Sequence, residues 1–441
     1  MNIDIPRNVC QVIKKLESQG FEAYIVGGCV RDSFLGKTPK DYDITTSASP
    51  EEVKKCFDDC AVIETGIKHG TVTVVSEGEN IEVTTFRIDG EYNDGRHPET
   101  VKFSKNLLDD LSRRDLTINA MAYNPRVGLI DNFGGQSDLF SRRIVCVGDP
   151  AVRFKEDALR IMRAMRFSSE LGFEIEENTA EAVHKMKELL SNVSMERVSD
   201  ELSKLLMGES PRNVLTGYSD VISLIIPEIK SCIGFDQCNR YHIYDVWTHS
   251  AYAVEHSVPE LEIRLALLLH DIGKPNCFKL DDEGNGHFFG HEKLGAEMSE
   301  KILKRLRFPN DVVERTAKLI KYHYVTPVND QKVVRRLLAA VGEEDLFPLL
   351  EVMKGDNRAK HSSCLERVRV LEAMGERARE IIEQGMCIKI ADLKVSGNDM
   401  IELGFSGAKI GEVLKSLLDA VLDDKTNNTY DELMEYAKKF F

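Results

Sequence analysis

The sequence predicts an α+β protein: an N-terminal α/β head on a small mixed sheet, followed by an all-helical neck, body and tail. Three observations carry this. Strand-like runs (Phe21–Val26, Tyr42–Thr46, Thr71–Ser76 and Ile81–Arg87) alternate with helical stretches such as Pro50–Cys60 near the N-terminus. After Gly148-Asp149-Pro150 the pattern turns almost wholly helical, from Asp157 onward. The length, 441 residues, makes three or four compact units at about 100–200 residues each. The expected units are residues 1–148 (head), 149–235 (neck), 236–360 (body) and 361–441 (tail).

Composition narrows the function. With 42% hydrophobic residues the chain can bury real cores. No apolar run reaches about 18 residues, so no transmembrane helix is expected. The segment Met1 to Gln11 lacks a basic stretch followed by an apolar one, so the expected compartment is the cytoplasm. The ten cysteines form no CxxC pair, which suggests reduced thiols and disfavours a zinc knuckle. A net charge of −15 argues against indiscriminate binding to phosphate backbones. Residues 141–170 nevertheless hold seven Lys/Arg against four acids (7 − 4 = +3), and any polyanion site is expected to start there.

Taken in order, the first helix runs to Gly20, and the strand Phe21–Val26 then enters Gly27-Gly28 and a helix over Cys29–Leu35. A glycine turn at a helix start exposes N–H groups that suit a triphosphate, and Arg31 adds a fixed cationic fork. In Asp41-Tyr42-Asp43 the two acids are two apart, so on a strand they share a face. Such a pair calls for a divalent cation. Mg²⁺ commonly takes one or two carboxylates plus substrate phosphates, and a two-metal site steadies attacking and leaving oxygens. Glu82, on Ile81–Arg87, is the candidate third carboxylate. Alone, DxD reads equally as a solvated β-face; the upstream glycines give it meaning. The polar segment Asp89–Pro98 reads as a mobile loop.

On a helical wheel Ala158, Ile161, Met162 and Met165 cluster, while Asp157, Arg160, Arg163 and Arg166 take the opposite arc. Asp157 and Arg160 are three apart and therefore neighbours. An acceptor beside a two-pronged donor can imitate the edge of a base, although an isolated pair of this kind is an ordinary salt bridge. Further on, His249, His270-Asp271 and Asp356 stand in the order H…HD…D. The HD pair ends the apolar run Leu265–Leu269 and precedes Gly273-Lys274-Pro275, a helix stop. Imidazoles with carboxylates suit Mn²⁺ or Ni²⁺ better than Mg²⁺, and His291 and His323 are candidate further ligands or phosphate contacts. Trp247, the single tryptophan, is expected in the core. The tail, Leu393–Leu418, has turn glycines in Ser396-Gly397-Asn398-Asp399 and at Gly407 and Gly411; these fit either phosphate contacts or a plain helix pair.

These motifs carry a resemblance. GGxxRD at Gly27–Asp32, LGKxxxDYD at Leu35–Asp43 and RRDxTINAM at Arg113–Met121 resemble the nucleotidyltransferase superfamily, in particular its class II branch of tRNA CCA-adding enzymes and bacterial poly(A) polymerases. Phe133-Gly134-Gly135 with Asp138-Leu139 resembles the branch's flexible-linker motif. Glu156–Arg160 resembles its EDxxR nucleotide-selection motif, and Glu196-Arg197-Val198 its neck motif. The H…HD…D order resembles the HD phosphohydrolases, and the tail resembles a tRNA-binding region.

The resemblance implies template-independent addition of CCA to tRNA 3′ ends from CTP and ATP. Asp41 and Asp43 would hold Mg²⁺, with Glu82 completing the catalytic set. Gly27, Gly28, Arg31, Arg113 and Arg114 would hold the triphosphate, and Asp115 the ribose 2′-OH. Asp157 and Arg160 would read the base, with Arg163 and Arg166 lining the same pocket. His249, His270, Asp271 and Asp356 would bind a further divalent metal, giving phosphohydrolase activity on RNA ends. The loop at Asp89–Pro98 resembles one that complete CCA-adding enzymes need for the switch to ATP. The alternatives are an A-adding enzyme, a poly(A) polymerase, and a metal-dependent phosphohydrolase with an inactive head. Poly(A) polymerases usually carry a basic tail and no HD segment, whereas this tail is acidic.

Overall fold

The computed structural model describes residues 3–64, 66–89 and 101–440. Most of the loop at Asp89–Pro98 therefore lies outside the described residues. The chain divides into two compact units, Met1–Pro227 and Glu228–Phe441.

Among the described residues the first unit has eleven strands: β1 (Ala23–Val26), β2 (Asp43–Thr46), β3 (Val62–Ile63), β4 (Thr71–Ser76), β5 (Glu79–Thr85), β6 (Arg87–Asp89), β7 (Val101–Phe103), β8 (Ala122–Asn124), β9 (Gly128–Ile130), and a separate parallel pair, β10 (Arg143–Ile144) with β11 (Glu174–Ile175). Seven form one sheet in the order β3-β4-β5-β2-β1-β8-β9, while β6 pairs with β7 apart from it. The sheet is antiparallel except where β2 runs parallel to β5, which sets Asp43 beside Glu82. The interior strand β1 is buried along its whole length, as its apolar sequence requires. Tyr24, Val26, Phe86, Leu107, Leu111 and Ala122 pack into one core beside the sheet.

Local rules explain the flanking helices. Helix Arg7–Ser18 buries Val9, Val12, Ile13 and Leu16, a 3.6-residue stripe. The expected helix Pro50–Cys60 ends at Cys56; it starts with a capping box between Ser49 and Glu52 and with Pro50 in its first turn. Beyond the sheet, helix Leu159–Leu171 packs against Met195–Leu206.

Among the described residues the second unit is helical, as expected, with one short ribbon, Lys279–Leu280 with Gly286–His287, whose turn at Asp281–Gly284 closes on the Asp281 carboxylate. Helix Leu261–Leu269 is buried on nearly every side, including Arg264, and Trp247 is in the core as expected. The tail has its own core around Met400, Leu417, Leu433 and Ala437. Buried Arg335 ties it down through Asp424 at 3.0 Å and the Val421 carbonyl at 3.2 Å. All ten cysteines are free thiols. Among the described residues no helix is long and apolar enough to cross a membrane.

Candidate functional site

In the first unit the carboxylates come together as expected, with one difference. Asp43 opens β2, whereas Asp41 precedes the strand, so the pairing of acids comes from the strand's entry and not from one strand face. Glu82 is Asp43's lateral neighbour on β5. Asp43 is pushed up to about 6, first by the protein packed around its carboxyl and then by repulsion from Glu82 and Asp41; Arg114 opposes this. Acids that repel one another this way fit a hard divalent cation held by Asp41, Asp43 and Glu82.

The glycine turn sits against this group. Gly27 has φ +82° and donates its N–H to the Met121 carbonyl at 3.2 Å. A Cβ there would stand 3.1 Å from Arg114 Nη1, so the turn demands glycine on both counts. Gly28 begins helix Gly28–Phe34. Arg31 is held by Asp32 at 2.8 Å and by Asn119 Oδ1 at 2.7 Å.

Arg113 and Arg114 both lean on Asp110, at 2.7 and 3.3 Å. Asp110 is fully buried, takes a further bond from Thr45 Oγ1, and is held below the usual carboxylate range by these arginines despite its burial. Asp110 did not stand out in the sequence, although its spacing of three and four residues before two arginines is the signal for such a clamp. Asp115 is also buried. It accepts from the Leu116 N–H at 2.8 Å and from Arg163 Nε at 2.6 Å.

The EDxxR segment departs from its wheel. Helix Pro150–Glu156 ends at Asp157, which is extended (φ −141°, ψ 106°), and a new helix starts at Leu159. Asp157 therefore caps that helix through the Leu159 N–H and pairs with Arg197 at 2.9 Å, not with Arg160. Arg160 lies 8% exposed, bound to Glu156 at 2.7 Å and to the Arg113 carbonyl at 2.8 Å. The two groups expected to form one edge thus face different partners. Arg163 and Arg166 share buried Glu201, at 4.0 and 3.2 Å. With Arg31 they also surround the Phe167 ring, their guanidinium carbons 4.4 to 5.4 Å from its centroid. Neither Phe167 nor Glu201 stood out in the sequence. Of the Gly134-Gly135 pair only Gly135 is packed: a Cβ on it would meet the Thr117 carbonyl at 2.3 Å, and Asp138 takes a bond from Thr117 Oγ1.

In the second unit His249, His270, Asp271 and Asp356 converge. His249 Nε2 lies 3.0 Å from Asp356 Oδ1 and 3.6 Å from Asp271 Oδ2; His270 Nε2 lies 3.1 Å from Asp271 Oδ2 and 3.5 Å from Asp356 Oδ1. His291 and His323 face the other oxygen, Asp271 Oδ1, at 3.5 and 3.9 Å. The rings of His270, His291 and His323 donate from Nδ1 to the carbonyls of Leu267, Phe288 and Ile320, which turns each Nε2 inward. His270 Nε2 and His291 Nε2 are buried and face carboxylate oxygens without a well-aligned hydrogen bond. Burial alone would lower His270, yet Asp271 and Asp356 push it up to about 9. Orphaned, inward-facing nitrogens around carboxylates fit a transition metal. Lys274 and Lys360 stand beside the group, on Asp271 at 2.7 Å and on Asp356 at 2.5 Å.

Three family models match. One described as the poly A polymerase head domain covers residues 23–145, one described as a probable RNA- and SrmB-binding site of polymerase A covers 172–221, and an HD domain covers 240–394. The chain is 35% identical over 427 residues to the CCA-adding enzyme of Bacillus velezensis, covering 96% of each. It is 48% identical over 440 residues to that of Leuconostoc citreum, covering 97% of this chain and 94% of the other. Its fold is similar to the crystal structure of the Bacillus stearothermophilus CCA-adding enzyme in complex with CTP, with a TM-score of 0.72, 28% identity, and coverage of 98% of this chain and 97% of that one. Sheet, carboxylate group, glycine turn and full-length likeness agree, and the chain belongs to the family of CCA-adding enzymes, the tRNA nucleotidyltransferases.

Proposed function

We propose that this chain completes the CCA end of tRNA by successive transfer of nucleotides from CTP and ATP, with the protein itself standing in for a template. The observation that supports it best is the group formed by Asp41, Asp43 and Glu82 next to the Gly27-Gly28 turn. The RNA 3′-OH attacks the α-phosphorus, the bond to the bridging oxygen of the β-phosphate breaks, and pyrophosphate leaves. Mg²⁺ bound by the carboxylates would supply charge neutralisation on the reacting oxygens. The N–H groups of the glycine turn, with Arg31, Arg113 and Arg114, bind the triphosphate. Asp115 serves the ribose hydroxyl while anchoring Arg163. Asp157 and Arg160 read the base after their present partners, Arg197 and Glu156, give way; Arg163 and Arg166 line the same pocket.

The second cluster works separately. His249, His270, Asp271 and Asp356 would hold a divalent metal such as Mn²⁺ or Ni²⁺, and this site hydrolyses phosphate esters at RNA 3′ ends. The four-part division at residues 148, 235 and 360 belongs to the same reading, with residues 361–441 as the tRNA-binding tail and the cytoplasm as the working compartment.

The test is to incubate the protein with tRNA lacking CCA, plus CTP and ATP, and to resolve the products by single nucleotides. Stepwise C, C, A addition is expected. A long A-tail, or A added only to tRNA already ending in CC, would overturn it in favour of a poly(A) polymerase or an A-adding enzyme.

A further inference from the structure

We infer that Asn119 is a positioning residue for sugar selection: its side-chain amide ties Arg31, in the triphosphate grip, to Asp115, the reader of the ribose 2′-OH. The inference rests on the roles proposed above for Arg31 and Asp115 and adds the residue that sets one against the other.

Asn119 closes the short helical turn Thr117–Asn119 and is 6% exposed. Its Oδ1 accepts from Arg31 Nη1 at 2.7 Å, and its Nδ2 donates to Asp115 Oδ1 at 3.3 Å. These partners leave the amide one orientation, since a guanidinium only donates and an ionised carboxylate only accepts. The Asn119 backbone carbonyl accepts from Arg114 Nη1 at 3.5 Å, and a Cβ on Gly27 would stand 3.8 Å from that same oxygen. One buried residue therefore touches the glycine turn, two arginines of the phosphate grip and the sugar reader.

The contacts form a closed circuit. Asp115 Oδ2 accepts from Arg163 Nε at 2.6 Å, and Arg163 and Arg31 lie over the Phe167 ring at 5.4 and 4.9 Å from its centroid. Arg31 is thus held from two sides, by Asn119 and by Phe167. Both oxygens of Asp115 have fixed donors, Oδ1 from Asn119 and the Leu116 N–H and Oδ2 from Arg163, so the direction left for a hydroxyl is fixed as well. Only a side chain that accepts at one end and donates at the other can hold Arg31 and Asp115 together, and the two ends can be cut separately. Asn119→Asp keeps the acceptor for Arg31 and turns the donor into an oxygen that repels Asp115. Asn119→Ala removes both ends.

The experiment uses the full chain with Mg²⁺, tRNA lacking CCA, and either CTP or dCTP, which differ only at the 2′ position. Addition of the first nucleotide is measured in wild type, Asn119→Asp, Asn119→Ala, Asp115→Ala and the double variant Asp115→Ala with Asn119→Ala. The ratio of kcat/KM for CTP to that for dCTP should fall about tenfold in Asn119→Asp, through a higher KM for CTP. Asn119→Ala should lower the ratio by the same factor and raise KM for dCTP too, because Arg31 is also released. The double variant should match the ratio of Asp115→Ala, since the two residues act through one contact. Calorimetry with CTP and dCTP reads the same ratio in any variant too slow to assay, and a folding defect lowers both nucleotides alike. Equal losses on CTP and dCTP in both Asn119 variants, or a further fall in the double variant, would overturn the inference. If Asp115→Ala keeps the wild-type ratio, the ribose role of Asp115 falls and the inference with it. If wild type joins neither nucleotide, the transferase reading falls, and the calorimetric ratio decides the role of Asn119.

Discussion

Asp115 and Arg163, 48 residues apart, meet at 2.6 Å and join the RRD segment to the long helix that follows Asp157. Burial alone would raise Asp115, but Arg163, backed by Arg160, brings it down to about 2. The folded value lies below the ordinary one of about 3.9, so the pair stabilises the fold above pH 4 and loses that contribution as pH falls toward 2. Its worth is on the order of 2 kcal/mol. Denaturant titrations of wild type and Arg163→Met should show a stability gap at pH 6 that narrows steadily below pH 4. A constant gap would count against the pairing.

Asp43→Asn keeps the volume of the side chain and removes the charge at the centre of the carboxylate group. Incorporation of labelled CMP should fall on the order of 10³-fold, with no loss of thermal stability. Removing charge from a crowded group relieves repulsion, so a higher Tm is the expected companion result.

Gly27→Ala puts a Cβ against Arg114 and forces an L-residue to φ +82°. A cost of at least about 1 kcal/mol is expected in stability. KM for both nucleoside triphosphates should rise together, because in the proposed mechanism the turn serves the phosphates, not the base. A variant that changes only the CTP-to-ATP ratio would contradict this role.

Asp110→Asn leaves two arginines without their buried counter-charge. A loss of about 3 kcal/mol is expected in chemical denaturation, since breaking one side of a buried pair strands the other. Incorporation should fall as well, although Asp110 touches no substrate in the proposed mechanism.

Asp271→Ala should abolish one class of divalent binding, measured as bound metal per chain after dialysis. CMP and AMP incorporation should continue, because the carboxylate group of the first unit is untouched. Loss of both together would show that the clusters are not independent.

Much of this was legible in the chain. The Asp41/Asp43 pair, the glycine turn and the H…HD…D order were legible as groups of residues that the fold then brings together, although Asp41 precedes β2 and does not share its face. Glu82 was readable as a carboxylate on a strand, but its place beside Asp43 depends on a parallel pairing that no local pattern announces. The break at Asp157 was hidden: residues on both sides favour helix, and its extended backbone is stabilised by Arg197, forty residues away. Phe167 was invisible for a different reason, since a phenylalanine on an apolar face reads as core whether or not arginines surround it. Strands of two or three residues, such as β3 and β9, carry too few side chains to show alternation.

The parallel contact between β2 and β5 has a consequence for biogenesis. Residues 43 and 82 become neighbours only after the intervening chain has been synthesised and folded back, and β1 gains its second flank only when Ala122 arrives. No early fragment leaving the ribosome can display the three acids together. A nascent chain that ends before β5 therefore lacks the complete group of three acids.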